Sequence, residues 1–491
     1  MRTGKVANMS GDGQLTTVLD PLDCGQDECG ACGVWAPGEE VAHLIYFSLY
    51  ALQHRGQEAA GIAASDGEKI LVYKDTGLVS QVFNEEALET LKGHVAVGHT
   101  RYSTSGDKGW INAQPMLGPT EFGTVAIAHN GNLVNVEELI DRIQALSGDD
   151  LSGELGHGSS TDTAVMTALM GVLKGYDSLE ELAVAMLPML QGAFSLVFMD
   201  ESKLYAARDA NGFRPLVLGK LPGGWVVASE TAALDIAGAT FVREIDPGEL
   251  IVIDEFGVHS RRFAHPTPHV CAFEYVYLAR PDTQINGRRI NSVRNAMGRR
   301  LAVEHTVDAD IVIATPDSGT PAAIGYAQES GIPFAQGLVK NAYVGRTFIR
   351  PTQAMRQMGI RLKLNPLREV IEGKRIVVVD DSIVRGNTQR QLVAMLKGAG
   401  AAEVHVRISS PPVVWPCFFG IDFPTRAELI ANNLSIDDIR DSLDADSLGY
   451  LSPEGMYEAI NLPVKSLCTA CFSGEYPVPI DVHKDYLARG C

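Results

Sequence analysis

The sequence predicts two consecutive layered domains, an α+β unit followed by an α/β unit built on a parallel sheet. At 491 residues the chain exceeds what one hydrophobic core usually organises, and about 150 residues per domain gives roughly two to four domains. Between residues 34 and 263, short β-rich runs alternate with a few helical stretches, the pattern of an α+β layered domain. From about residue 264 onward, apolar runs that read as buried strands are each followed by a helical stretch, the rhythm of a parallel sheet.

The first 28 residues are polar, rich in Gly and Asp and without sustained periodicity, so residues 1–28 are expected to be a disordered leader or propeptide. Strands are expected at 95–98, 124–128, 193–197 and 225–228 and helices over 43–53 and 162–173, within a first domain spanning 29–263. In the second domain, 264–425, Ile311–Ala314 precedes a helix over 322–328, and the run 376–379 precedes a helix over 389–396. Gly398 and Gly400 stop that helix, and 404–408 supplies the next strand. Residues 426–491 are expected to form an acidic helical tail, with a helix over Ile436–Leu443 and a Pro- and Cys-containing end.

Composition narrows the function classes. Lys and Arg number 41 against 60 Asp and Glu, a net charge of −19, which argues against a broad basic surface for nucleic acid. A small anionic substrate is still allowed where basic residues cluster. No run approaches the ~20 apolar residues needed to cross a bilayer, and the N-terminal stretch lacks the apolar core of a secretory signal, so a cytoplasmic protein without membrane contact is expected. Eight cysteines are too sparse for a disulfide scaffold and point to thiols used for chemistry or metal.

Residues 376–388 hold the sharpest local signal. The apolar run ends in Asp380 and Asp381; Ser382 follows, and Arg385, Gly386, Asn387 and Thr388 form a short loop that opens a helix. In an open α/β sheet, ligands sit beyond the carboxyl ends of strands, where this carboxylate pair emerges. Backbone N–H groups of the loop suit a phosphate, with the Thr388 hydroxyl as a further donor. The carboxylates would repel that phosphate and are expected to face hydroxyls or a hard metal ion, a layout that fits a ribose 5-phosphate ligand. This stretch resembles the binding motif of type I phosphoribosyltransferases, which bind phosphoribosyl pyrophosphate with Mg²⁺. The resemblance implies magnesium contacts at Asp380, Asp381 and, from the strand-to-loop edge 311–319, Ser318. The basic segment 340–350 reads either as a solvated loop or as a flap over the pyrophosphate. In the second case Lys340 and Arg346 counter its charge and Tyr343 helps close the lid.

A second group of segments is scattered through the first half: Glu28-Cys29-Gly30, residues 53–58 with His54 and Arg55, residues 98–104, His129-Asn130-Gly131-Asn132, and residues 160–163. Together they resemble the class II glutamine amidotransferase domain, an N-terminal-nucleophile hydrolase with an αββα sandwich. A cysteine at a chain start carries an α-amino group of pKa about 7.7–8.0 beside its sulfur, whereas an internal cysteine has no built-in base. Cleavage between Glu28 and Cys29 would therefore create the catalyst. The resemblance implies oxyanion stabilisation by Asn130 and Gly131, pairing of Arg101 with the glutamine α-carboxylate and of Asp162 with its α-ammonium, and Tyr102 and Thr104 lining the site. Cys32 stands where relatives commonly have an aromatic residue and is expected to be a core residue, and Cys24 to leave with the leader. His54 and Arg55 are expected to be structural, beneath the site.

Cys468 and Cys471 have the C-x-x-C spacing that puts two thiolates on one metal, which would need two remote partners; Cys271 precedes the phosphoribosyltransferase core and Cys417 lies in a Pro-rich stretch, residues 411–417. A zinc site and unligated core cysteines both remain open on spacing alone; Cys491 has no evident partner. Glutaminase followed by phosphoribosyltransferase, the whole chain resembles the glutamine phosphoribosylpyrophosphate amidotransferase family. In its iron–sulfur-containing subgroup these four cysteines would hold a [4Fe–4S] cluster. The resemblance implies that ammonia from the Cys29 site travels through the interior to the phosphoribosyl site. There it would displace pyrophosphate from C1 to give 5-phosphoribosylamine, the first committed step of de novo purine synthesis. It also implies a homotetramer inhibited by purine nucleotides. Two other readings are carried alongside: another class II glutamine amidotransferase, against which residues 379–388 speak, and a phosphoribosyltransferase-like ligand-sensing regulator, against which the charge and the full glutaminase signature speak.

Overall fold

The computed structural model describes residues 29–102, 109–148, 161–341, 363–421, 423 and 425–480. The first half carries, in chain order, β1 (Gly30–Trp35), β2 (Ala59–Ser65), β3 (Ile70–Thr76), β4 (Val95–Arg101), β5 (Met116–Thr120), β6 (Gly123–Leu133) and β7 (Gly192–Met199). It continues with β8 (Leu204–Arg208), β9 (Val217–Leu221), β10 (Gly224–Ala228), β11 (Thr240–Glu244), β12 (Glu249–Asp254) and β13 (Gly257–Arg262). These form a seven-stranded sheet of order β11-β9-β10-β1-β4-β2-β3 and a six-stranded sheet of order β13-β12-β8-β7-β6-β5. Pairing is antiparallel throughout both sheets.

The two sheets stack because their facing side chains are apolar and many are small. Ala31, Ala63, Ala126, Ala128 and Ala206 pack with Val97, Val197, Leu204 and Val227 in one buried layer. Outside it, the helix Val41–Ala51 covers the seven-stranded sheet through Val41, Ile45 and Leu49. The helices Asp162–Val172 and Leu179–Met186 cover the other sheet through Val165, Leu169 and Leu182. The result is the expected αββα sandwich. The expected strands are all present, and the helix expected at 43–53 runs two residues earlier.

The second half holds a four-stranded parallel sheet in the order Ile311–Ala314, Arg375–Asp380, Glu403–Ile408, Ser447–Tyr450. Its fourth strand lies beyond residue 425, so the sheet crosses the boundary expected there. The acidic helix Ile436–Leu443 is what returns the chain to the sheet: Ile439 and Leu443 bury beside Leu392 and Leu396 of the helix Asn387–Gly398. Strand Ser447–Tyr450 escapes sequence reading because Ser and Gly dilute its apolar character. The halves share one core, in which the Phe213 ring stacks on Phe419 with centroids 4.2 Å apart. Among the described residues no helix is long and apolar enough to cross a membrane.

Candidate functional site

β1 and β4 pair with Gly30 opposite Thr100, which brings the start of β1 beside the end of β4. Cys29 therefore sits against Arg101 and Tyr102, and its Sγ donates to the Tyr102 carbonyl at 3.4 Å. Arg101 is buried at the strand end. Across the sandwich, β6 delivers Asn130 and Gly131 to the same edge. Asn130 Nδ2 makes a long 3.4 Å bond to Ser229 Oγ, and Ser229 Oγ accepts from Ala31 N at 3.0 Å. Asn130 Oδ1 is buried with no hydrogen-bond partner among the described residues. Gly131 has φ +147, and a Cβ there would collide with the Ala193 carbonyl, so only glycine fits.

Asp162 opens its helix behind a Thr161 cap and accepts from Leu133 N, the last residue of β6, at 3.2 Å. Burial pushes its carboxyl up, but the His129 ring 3.4 Å away and the N–H groups of Leu133 and Thr163 outweigh that and hold it below the ordinary carboxylate range. Cys29, Arg101, Tyr102, Asn130, Gly131 and Asp162 thus gather at one edge of the stacked sheets. Cys32 is fully buried among Val34, Ile45 and Leu49, and burial raises its thiol far above the usual range, as a core residue requires. Thr104 lies outside the described residues, as do residues 1–28 with Cys24, and Cys491.

Beneath Cys29 lies a buried charge network. Arg55 Nε donates to the Cys29 carbonyl at 3.2 Å, its Nη1 to Glu230 Oε1 at 2.5 Å and its Nη2 to Glu274 Oε1 at 2.6 Å. His54 Nε2 lies 2.7 Å from Glu230 Oε1, and Thr283 Oγ1 donates to Glu230 Oε2 at 2.6 Å. Burial opposes ionisation of both glutamates, yet the charges of His54 and Arg55 hold Glu230 low and those of Arg55 and Arg214 hold Glu274 low. Ser229, Glu230, Glu274 and Arg214 are missing from the sequence reading. Glu274 leaves one trace, a single charge within the otherwise apolar run 272–278.

At the second site, Asp380 ends its strand and Asp381 follows, both buried. Ser382 Oγ donates to Asp381 Oδ1 at 2.6 Å, Gln389 Nε2 donates to Asp380 Oδ2, and the Ser318 side chain bonds to Asp381. Burial raises both carboxyls; the charge of Asp381 adds to the rise at Asp380, whereas hydrogen bonds from Ser318 and Ser382 temper it at Asp381. Gly386, φ +80, caps the helix Asn387–Gly398, and a Cβ there would lie 2.6 Å from Ile430 Cδ1. Arg385 Nε reaches Glu428 at 3.4 Å, and Thr388 is buried in the first turn. Lys340 ends a short strand and pairs with Asp317 at 2.6 Å, beside Ser318. Tyr343 and Arg346 lie outside the described residues. Asp381 Oδ2 is buried without a partner among the described residues, an orphaned acceptor that suits a hard cation.

The four remaining cysteines share one core. Val270–Cys271 pairs in parallel with Leu467–Cys468, setting Cys271 opposite Cys468. Phe419 N donates to Cys417 Sγ at 3.3 Å, and the Cys471 carbonyl accepts from Val414 N and Trp415 N. Burial pushes the Cys468 thiol up to about 12 and Cys471 well above its usual value, with the neighbouring cysteines adding to the latter. Among the described residues no three His, Cys, Asp or Glu side chains are arranged to hold a metal ion. Four buried thiols around one core fit a group that supplies several metal atoms, one per thiolate.

The model of a glutamine amidotransferase domain matches residues 99–236. The chain is 59% identical over 480 residues to the amidophosphoribosyltransferase of Mycobacterium tuberculosis, covering 96% of this chain and 91% of the relative. It is 46% identical to that of Bacillus subtilis, covering 92% and 95%. A solved structure of the glutamine phosphoribosylpyrophosphate amidotransferase from B. subtilis, complexed with ADP and GMP, superposes with a TM-score of 0.85 at 45% identity, covering 92% of this chain and 98% of that one. Another, described as the allosteric regulatory enzyme of purine biosynthesis, gives 0.86 at 46% identity, covering 92% and 97%.

Proposed function

Because the chain belongs to the amidophosphoribosyltransferase family, the enzymes of the first step of purine biosynthesis, we propose a division of labour among its residues. Cys29, freed by removal of residues 1–28, attacks the glutamine carboxamide, and its own α-amino group takes the thiol proton. The resulting oxyanion is held by Asn130 Nδ2 and the Gly131 N–H. Collapse breaks the C–N bond, releases ammonia with that proton and leaves a glutamyl thioester, which water hydrolyses to glutamate. Arg101 and Asp162 hold the substrate's α-carboxylate and α-ammonium, with Tyr102 and Thr104 beside them. The observation that carries this reading is the gathering of Cys29, Asn130, Gly131 and Asp162 at one edge, with Arg55 fixing the Cys29 carbonyl.

Ammonia then travels through the interior to the second site. Its nitrogen bonds to C1 of phosphoribosyl pyrophosphate as the C1–O bond to pyrophosphate breaks, giving 5-phosphoribosylamine and one proton. Loop 385–388 and Ser382 hold the 5-phosphate, Asp380 and Asp381 face the ribose hydroxyls and a cation, and Lys340, Tyr343 and Arg346 close over the pyrophosphate. Asp380, Asp381 and Ser318 would hold Mg²⁺, which when bound offsets the pyrophosphate charge as the leaving group departs. Cys271, Cys417, Cys468 and Cys471 would hold a [4Fe–4S] cluster in a structural role. Purine nucleotides as inhibitors, a homotetramer and a cytoplasmic location complete the reading. Its test is Cys29→Ala in the full chain: glutamine-dependent pyrophosphate release is expected to vanish while ammonia-dependent release persists. Retained glutamine use would overturn the assignment.

A further inference from the structure

Residues 417–420, from the second half of the chain, press directly on the strand end that carries Asn130 and Gly131. Asn132 Nδ2 donates to the Phe418 carbonyl at 3.0 Å. Gly420, at φ +111, approaches so closely that a Cβ there would lie 3.2 Å from both Cα and C of Gly131. Between them, the Phe419 carbonyl accepts from Arg214 Nε at 3.0 Å and Nη2 at 2.6 Å. Arg214 Nη1 lies 3.5 Å from Glu274, the carboxylate that also takes Arg55. The same four-residue strap therefore touches the oxyanion strand and, through Arg214, Glu274 and Arg55, reaches the Cys29 carbonyl.

We propose that Gly420 is a positioning residue for amide hydrolysis, acting through Gly131 to fix the oxyanion donors from the phosphoribosyl half of the chain. Gly131 has no side chain to brace its peptide, and donors aimed at a developing oxyanion lose most of their value when displaced by a fraction of an ångström. The Gly420 backbone supplies the wall behind it, and the Asn132–Phe418 bond sets the height of that wall. Displacement of the strap would detune hydrolysis without touching either substrate. The proposal rests on the assignment of Asn130 and Gly131 to the oxyanion.

The test uses Gly420→Ala in the full chain, with Asn132→Ala as a second variant that removes the bond to Phe418, along with a 3.2 Å bond to the Leu133 carbonyl, and adds no bulk. Each is expected to lower kcat for glutamine hydrolysis, Gly420→Ala by about tenfold or more, with KM for glutamine within about twofold. Ammonia-dependent pyrophosphate release and the rate of Cys29 alkylation by iodoacetamide, followed by mass, are expected at wild-type levels. Equal losses in the glutamine and ammonia reactions, or an unchanged kcat in both variants, would overturn it. Asn130→Ala run alongside separates the failures. If it leaves hydrolysis intact, the oxyanion assignment falls; if it stops hydrolysis while the two strap variants do not slow it, only the strap falls.

Discussion

Arg55 grips the Cys29 carbonyl at 3.2 Å while the same guanidinium reaches Glu274, a residue of the second half, at 2.6 Å. The backbone of the proposed nucleophile is thereby fastened across the domain junction by a group with no exposure to screening solvent. Replacing Glu274 by Leu leaves Arg55 and Arg214 short of a counter-charge inside the protein. A loss of about 3–5 kcal/mol is expected, because removing one partner of a buried pair strands the other. It would be read as a fall in thermal midpoint, with Glu274→Gln falling less.

Gly131→Ala is expected to remove glutamine-dependent turnover and to spare the ammonia-dependent reaction. The added methyl meets the Ala193 carbonyl and the backbone sits at φ +147, so the peptide that would face the oxyanion must move. Parallel assays with glutamine and with ammonium chloride measure the split, and equal losses in the two would count against it.

His99 should make the fold acid-sensitive. Burial, aided by nearby positive charge, lowers its pKa to about 3, so the folded ring stays neutral where an unfolded one takes a proton near 6.5. The sign follows: stability is complete above about pH 6.5 and is lost as the pH falls from there toward 3. The loss is roughly 2 kcal/mol by pH 5. Chemical denaturation at pH 7.5 and pH 5 checks this, and His99→Gln should flatten the difference.

Asp380→Asn is expected to stabilise the metal-free chain while abolishing phosphoribosyl transfer. The substitution relieves two adjoining buried carboxyls, and Gln389, whose Oε1 lacks a partner among the described residues, can turn to accept from the new amide. Thermal midpoints in chelator buffer, with pyrophosphate release as the second readout, decide it.

Cys468→Ser is expected to yield a chain without stoichiometric iron and with a lower thermal midpoint. Iron, sulfide and zinc analysis of the anaerobically purified protein measures it. Zinc in place of iron in the unsubstituted chain would contradict the cluster assignment.

How much of this is visible in the sequence depends on how far apart the partners lie along the chain. The apolar run 376–379 abuts Asp380 and Asp381, so strand, carboxylates and loop can be read as one local unit, and the structure keeps them together. Cys29, Asn130 and Asp162 are separated by whole strands, and the family resemblance, not periodicity, is what joined them. In the network under Cys29, His54 and Arg55 are legible as structural residues, but their acidic partners lie beyond both routes. Glu230 and Glu274 stand 175 and 219 residues from Arg55, and nothing near either announces a partner. Strand Ser447–Tyr450 is hidden for a different reason: an edge strand needs few apolar residues to hold its place, so it leaves little pattern to read.

The pairing of Val270–Cys271 with Leu467–Cys468 has a consequence for biosynthesis. It joins the opening stretch of the second half to a segment close to the last described residues. A ribosome must therefore deliver the chain as far as residue 468 before those two thiols can meet. A group held by all four cysteines could therefore be loaded only after residues 468 and 471 have been made, well after the sandwich of the first half.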